Sequence, residues 1–221
     1  MHIKKGETSL VIVGAWNPSI LRPDWLAREV FRFPEGSQAP VTMEFAMVPG
    51  APPKFTLGDI SFVPMKQRLV MYPKETTPTA LADVEAKALA ILTLLPHTPV
   101  VAIGENFEFF DDSPTRDQMR VFEVEDPLVQ RCGLPFERTT TSITSSLKLE
   151  NGTLNLTQSL SGSVLSVKFN FNYENSGVNG GKLGIASEAI PRLRDTFVSN
   201  LAIVKQFLGS YEGIPTELME A

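Results

Sequence analysis

The sequence is poor in the residues that most often carry chemistry. It holds one cysteine, Cys132, and two histidines, His2 and His97, in 221 residues. A single cysteine cannot form an internal disulfide, and a structural zinc site would need mostly carboxylate ligands, which is unusual. No Cys-x-x-Cys pair, His-Glu-x-x-His pair or Gly-x-Ser-x-Gly elbow occurs in the chain. The sequence therefore predicts no cofactor and identifies no catalytic residue, and it leaves the question of an enzyme open, because catalytic side chains can come from distant positions.

Long apolar runs and a basic excess are also missing. No window approaches the roughly 18 apolar residues of a membrane span, and the run from Leu10 to Trp16 is too short for a secretory signal. These absences predict a cytoplasmic protein with no membrane partner. The formal net charge is −5, whereas a DNA-binding protein usually presents a basic face. The charge therefore argues against nucleic acid as a partner.

The sequence does contain the pattern of a three-stranded antiparallel meander between Thr139 and Tyr173. Two-residue turns are predicted at Asn151-Gly152 and Ser161-Gly162. These turns would give the cross-strand pairs Leu149–Leu154, Leu147–Leu156, Ile143–Leu160, Leu154–Phe169 and Leu156–Val167. All these apolar residues share one face, and a slip of one residue would turn them to water. The other face is polar but rarely charged: Thr144, Ser146, Lys148, Asn155, Thr157, Ser159, Lys168, Asn170 and Asn172.

Two long amphipathic helices are predicted, Thr79 to Leu95 with Thr77 as N-cap, and Glu188 to Leu208. Outside the meander, the predicted strands are Leu10 to Val13, Val41 to Met47 (half-buried), Phe55 to Val63 (read with the next as two strands), Arg68 to Tyr72, Val100 to Ile103 and Met119 to Glu125. Short helical pieces are predicted at Arg22 to Phe31 and at Pro127 to Cys132. The fold class is therefore α+β, with two similar halves, residues 1–97 and 98–221. Each half is an antiparallel β-meander backed by a long amphipathic helix, and the two can pack as one continuous domain.

This order of elements is similar to the duplicated, saddle-shaped fold of the TATA-binding protein family. The resemblance lies in topology alone, without a shared motif. It implies an internal duplication in which both long helices cover one face of a curved sheet. It does not carry DNA binding to this chain, because fold does not imply function and the net charge is negative.

An acidic segment, residues 105–126, holds eight carboxylates against two arginines. Its members Glu105, Glu108, Asp111 and Asp112 are weak candidates for a divalent-cation site, because hard cations bind several carboxylate oxygens. Their spacing does not match an EF-hand loop. A solvated acidic loop and a surface for a basic partner are the alternatives.

Four other residues are candidates for binding. Trp16 and Asn17 follow the first predicted strand and Asn106 follows the strand that ends at Ile103, so the two asparagines could line matching clefts in a duplicated fold. Ordinary turn chemistry explains them equally. Lys182 lies in the glycine-rich stretch 175–184, which could bind an anion weakly before the last helix but lacks the P-loop pattern.

Without a catalytic constellation, the sequence favours a non-enzymatic protein-interaction or assembly protein. We expect it to bind a protein partner or to self-associate through the polar sheet face, an edge strand or the acidic segment. The alternative is a small-ligand or divalent-cation binding protein, or an enzyme, with a cleft between the two halves.

Overall fold

A ten-stranded antiparallel sheet runs through the described part of the chain. The computed structural model describes residues 1–4, 6–36, 40–45, 47, 50–123, 139–175 and 184–209. The strands are β1 His2–Ile3, β2 Ser9–Gly14, β3 Val41–Glu44, β4 Lys54–Leu57, β5 Ile60–Pro64, β6 Arg68–Pro73, β7 Val100–Asp111, β8 Thr140–Lys148, β9 Thr153–Ser161 and β10 Val164–Glu174. The helices are α1 Pro23–Trp25, which continues as a π turn over Leu26–Val30, α2 Pro78–Leu94, α3 Arg116–Arg120, α4 Ala186–Leu193 and α5 Thr196–Gly209.

The strand order is β3-β4-β5-β6-β2-β7-β10-β9-β8, and β1 also pairs with β7. The central pair of β2 and β7 joins the strands of the two predicted halves edge to edge. The α+β class is therefore confirmed, with a large antiparallel sheet and helices. The division into two domains and the likeness to the TATA-binding protein stay predictions.

The core lies between the sheet and the helices on one of its faces. Phe107 of β7 contacts Phe171 of β10, with ring centroids 6.1 Å apart, and Phe197 of α5, at 5.4 Å. The apolar stripe of α2, which consists of Leu81, Val84, Ala88, Ile91 and Leu92, is buried. The Thr77 hydroxyl accepts the predicted capping hydrogen bond from the Ala80 amide at 3.2 Å. The sheet face opposite α1, α2, α4 and α5 is called the outer face. None of the helices formed by described residues is both long and apolar enough to cross a membrane.

The meander is present, but its register differs from the prediction by two residues. Leu147 lies opposite Leu154, which in turn lies opposite Phe171. Residues 149–152 form the first connection, and neither Asn151 nor Gly152 has a positive φ. A Cβ at Gly152 would lie 2.6 Å from the carbonyl oxygen of Asn172, so glycine is needed there for close approach. Because a shift of two keeps the parity, the polar side chains still share the outer face.

Other predicted elements also differ in the structure. The predicted strand from Phe55 to Val63 is two paired strands, β4 and β5. The helix from Glu188 to Leu208 is broken into α4 and α5, because Asp195 adopts a left-handed φ of 61° at the corner between them. At the predicted strand from Met119 to Glu125 the chain instead forms α3 over its first residues, since Thr115 and Gln118 make a capping box. The strand from Val41 to Met47 is shorter, as β3, and every residue of β3 is exposed. Pro127 to Cys132 lies outside the described residues.

Candidate functional site

The carboxylates of the acidic segment do not converge. Glu105 and Glu108 lie three residues apart on β7, so they face opposite sides of the sheet. Asp111 pairs with the amino group of Met1 at 3.3 Å, and Asp112 accepts a hydrogen bond from the hydroxyl of Ser113. Among the described residues, no group of three or more His, Cys, Asp and Glu side chains is placed to hold a metal ion. The described geometry therefore gives the cation hypothesis no site.

Glu108 lies on the outer face between two lysines. Its carboxylate oxygens are 2.8 Å from Lys4 Nζ and 3.1 Å from Lys168 Nζ, and the Ser166 hydroxyl donates a hydrogen bond to it at 3.3 Å. Burial alone would raise the pKa of Glu108, but the hydrogen bonds and the positive charges of the two lysines together outweigh burial and hold that pKa below its ordinary value. Glu108 is thus an ion-paired part of the sheet surface.

Glu105 points the other way and is fully buried beneath α5. It accepts hydrogen bonds from Thr196 Oγ1 at 2.7 Å and from Asn200 Nδ2 at 2.6 Å. Asn200 also contacts the Tyr173 hydroxyl, within hydrogen-bond distance. Burial raises the pKa of Glu105 to about 7, although both hydrogen bonds favour the charged form.

A second buried carboxylate, Glu85 of α2, meets the start of the same helix. It accepts hydrogen bonds from the backbone N–H groups of Asp195 and Phe197, the latter at 3.2 Å. Burial raises the pKa of Glu85, while these backbone hydrogen bonds lower it. A helix N-terminus presents unpaired N–H groups and a positive dipole end, which a carboxylate satisfies. Glu85 and Glu105 together therefore fasten α5 to α2 and to the sheet.

A row of polar side chains crosses the outer face. It takes one residue from each of nine adjacent strands: Thr42, Thr56, Ser61, Tyr72, Ser9, Asn106, Asn170, Asn155 and Ser146. Asn170 Nδ2 donates to Asn106 Oδ1 at 2.7 Å, and Asn155 Nδ2 donates to Asn170 Oδ1 at 3.2 Å. At the two ends of this chain of bonds, Asn106 Nδ2 donates to Ser9 and the Ser146 hydroxyl donates to Asn155. A ligand on this face would have to compete with these hydrogen bonds. The row of polar side chains therefore stabilises the register of the sheet.

Replacing Asn170 by alanine should lower the free energy of unfolding by about 1–3 kcal/mol, because Asn106 and Asn155 each lose a hydrogen-bond partner. Urea denaturation measures the effect. Asn172 lies on the same face outside the row, and Asn172→Ala is the matched control, with a smaller expected loss. Equal losses in the two variants would contradict the stabilising role of the row.

Of the four predicted binding residues, two lie together. Trp16 and Asn17 line a pocket of about 370 Å³ that also includes His97. Trp16 is buried and donates from Nε1 to the carbonyl oxygen of Ile12 at 2.9 Å. The Asn17 side chain accepts from the Ser19 amide at 3.1 Å, which is turn chemistry. The side chains of Trp16 and Asn17 therefore both make hydrogen bonds that stabilise the local structure.

The other two predicted binding residues lie elsewhere. Asn106 is in the middle of β7, within the polar row, and does not mirror Asn17 at a strand exit. Lys182 is outside the described residues. Asn17 and Asn106 therefore do not lie at equivalent strand exits.

The outermost strand, β3, and the residues that follow it carry exposed apolar side chains. The exposed fractions are 39% for Val41, 47% for Met43, 73% for Phe45 and 103% for Met47. These four residues with Thr42 and Glu44 are called the β3 edge. It borders a groove of about 760 Å³ whose apolar lining is Pro23, Ala27, Phe33, Pro34, Val41 and Met43. Edge strands normally avoid such exposure, because unpaired backbone groups beside apolar side chains invite another strand.

The opposite edge of the sheet is built differently. β8 is mostly serine and threonine, with Ile143 and Leu147 as its apolar residues. Hydroxyl pairs such as Thr144 with Thr157, 3.1 Å apart, link it to β9. Among the large apolar side chains of β8 only Leu147, at 45%, is exposed, so the series of exposed apolar side chains distinguishes the β3 edge from the opposite edge.

Comparison with known proteins does not assign this chain to a family. No protein-family model matches the chain, and a search of the curated proteins finds no significant match.

Proposed function

We propose that this chain is a non-enzymatic protein-interaction or assembly protein that binds through the β3 edge. The observation that carries the proposal is the exposure of four apolar side chains beside the unpaired backbone of an outermost strand. Of the three surfaces expected from the sequence, the described carboxylates of the acidic segment do not form one surface, because Glu105 and Glu108 face opposite sides of the sheet. The polar face is hydrogen-bonded within itself. The β3 edge remains the surface best suited to a partner.

Strand addition is the binding mode that fits this edge. A partner strand would hydrogen-bond to the outward N–H and C=O groups of β3, and its alternate side chains would point to the side of the helices. On that side lies the groove between α1 and β3. Main-chain bonds would then supply affinity, and the groove would select apolar side chains at alternate positions.

The resemblance to the TATA-binding protein family implies a duplicated scaffold. The arrangement of the strands supports that scaffold, with β3 as an addition to it. The order β4-β5-β6-β2 in the first half parallels β8-β9-β10-β7 in the second, and each set is followed by a long helical segment. Among the described strands, β3 has no counterpart in this correspondence. A binding edge added to a repeated scaffold agrees with the general rule that fold does not determine function.

Peptide selection tests the proposal, with Met43→Glu as the variant. Short random peptides displayed on phage and selected on the wild-type protein should be enriched in alternating apolar residues. They should lose binding to Met43→Glu, because a carboxylate would be buried against the added strand. Leu147→Glu on β8 is the matched control, since Leu147 is 45% exposed against 47% for Met43. Peptides that bind Met43→Glu as well as the wild type would contradict the proposal, as would the absence of selected peptides from a protein that is monomeric.

A further inference from the structure

We infer that the partner at the β3 edge is a second copy of this chain, paired antiparallel through β3 about a two-fold axis at Met43. This inference rests on the proposed function and names the occupant of the same edge. A two-fold dimer uses the same patch on both subunits, so the patch must be complementary to itself. The chemistry of β3 meets that condition in one register.

The parity of the strand limits the possible registers. Residues directly opposite each other in an antiparallel pair share one face of the sheet. When Met43 lies opposite Met43 of the second copy, Val41 lies opposite Phe45 and Thr42 lies opposite Glu44. The apolar side chains of both copies then face the helix side, where each copy has its own groove. A shift to an odd register would put them on opposite faces.

The charges and the proline select among the even registers. Centring the pair at Glu44 would set two carboxylates face to face, which is destabilising. Centring it at Thr42 would set Glu44 opposite Pro40, which has no N–H to donate. In the register centred at Met43, Glu44 keeps its own ion pair with Lys54, 3.4 Å away on β4, and meets a threonine across the axis. Over the paired residues Val41 to Phe45, this register is free of both penalties.

The second copy also matches the groove by chemistry. A strand suited to the β3 edge needs apolar side chains at alternate positions, and Val41, Met43 and Phe45 supply that pattern over the paired residues. Pairing would join the two ten-stranded sheets through their exposed edges. The unpaired backbone of both edges would be satisfied in one step.

Substituting Met43 by glutamate and by lysine tests whether the two-fold axis passes through this position. At micromolar concentration, the wild-type protein should sediment as a species of twice the chain mass of 24.3 kDa. The Leu147→Glu variant should do the same. Met43→Glu and Met43→Lys should each be monomeric, because a symmetric axis sets two like charges opposite each other. An equimolar mixture of these two variants should form the dimer again, since residue 43 of one copy then faces an opposite charge. Analytical ultracentrifugation measures the mass of the wild type, the three variants and the mixture.

A monomeric wild type, or a mixture that stays monomeric while the wild type is a dimer, would overturn the inference. The peptide selection separates this failure from failure of the proposed function. A monomeric protein whose peptide binding depends on Met43 has a different strand as its partner, which leaves the interaction function standing. A monomeric protein without such binding overturns both.

Discussion

Replacing Glu85 by alanine should lower the free energy of unfolding by about 2–5 kcal/mol, with the loss centred on α5. Glu85 is 5% exposed and accepts the backbone N–H groups of Asp195 and Phe197. Alanine leaves the buried Phe197 donor and the part-buried Asp195 donor at the start of α5 without this acceptor, and an unsatisfied buried donor costs about 1–3 kcal/mol. The favourable contact between a carboxylate and the helix N-terminus is lost as well. Urea denaturation measures the global loss.

Amide hydrogen exchange locates that loss. In Glu85→Ala, the amides of α5 should exchange faster than those of the central strands, because α5 loses an attachment to α2. Glu188→Ala is the matched control, since Glu188 also accepts a backbone N–H, that of Ile185 at 3.1 Å, at the start of α4. Its site is less buried, so the expected loss is about 1 kcal/mol, as for an ordinary cap. A loss in Glu85→Ala no larger than in this control would contradict the role of Glu85 as a buried attachment of α5.

The faces of the meander could be predicted from the sequence, whereas its register could not. The faces follow from alternation alone, and any even shift preserves them. The register depends on how the connection at residues 149–152 closes, and there Gly152 lies against the backbone of Asn172 on a different strand. A glycine needed for a turn and a glycine needed for close approach look the same in sequence.

The exposure of β3 could not be predicted for a related reason. The alternation of Val41, Thr42, Met43 and Glu44 shows which side chains share a face, but it does not show whether another element covers that face. β3 is the outermost strand of the sheet, and it pairs with β4 alone. Position in the sheet is a property of the whole topology, so an apolar stripe that reads as core is exposed at the edge.

The burial of Glu105 does not follow from the sequence analysis, because the strand to which Glu105 belongs is predicted too short. The prediction ended that strand at Ile103, and Glu105 was then read as part of an acidic loop. β7 continues to Asp111, and with a strand period of two Glu105 follows the inward-facing Ile103 while Glu108 faces out. Glu85 carried a usable signal, since it lies at helical spacing from Leu81 and Ala88 within the apolar stripe of α2.

Glu105 should make the protein less stable as the pH rises from about 4.5 to about 7. Its pKa is raised from an ordinary 4.5 to about 7 by burial. Below both values the carboxyl group is protonated in the folded and the unfolded protein and has no effect. Between them the unfolded protein releases the proton while the folded protein retains it, so the unfolded state gains stability with rising pH. Above about 7 the full penalty of roughly 3 kcal/mol has been reached.

Glu105→Gln should remove this dependence, because glutamine does not ionise. The difference in unfolding free energy, variant minus wild type, should rise by roughly 3 kcal/mol between acidic pH and pH 8, as the wild type alone incurs the penalty. Taking the difference cancels groups that titrate alike in both proteins. The titratable groups facing the site are Glu85 from α2, Asp195 at the α4–α5 corner and Tyr173 from β10. Urea denaturation across the pH range measures the difference.

Glu108→Gln supplies a control of opposite sign on the same strand. The pKa of Glu108 is lowered, since the hydrogen bonds and the positive charges of Lys4 and Lys168 together outweigh burial, so its contribution to stability is present above pH 4.5 and is lost as the pH falls through the lowered pKa. The difference, variant minus wild type, should therefore become more negative as the pH rises from the acid range. If the free-energy differences for Glu105→Gln and Glu108→Gln change with pH in opposite directions, the two faces of β7 provide opposite environments. A pH-independent difference for Glu105→Gln would mean that this carboxylate is hydrated or paired, and the buried attachment of α5 would then be wrong.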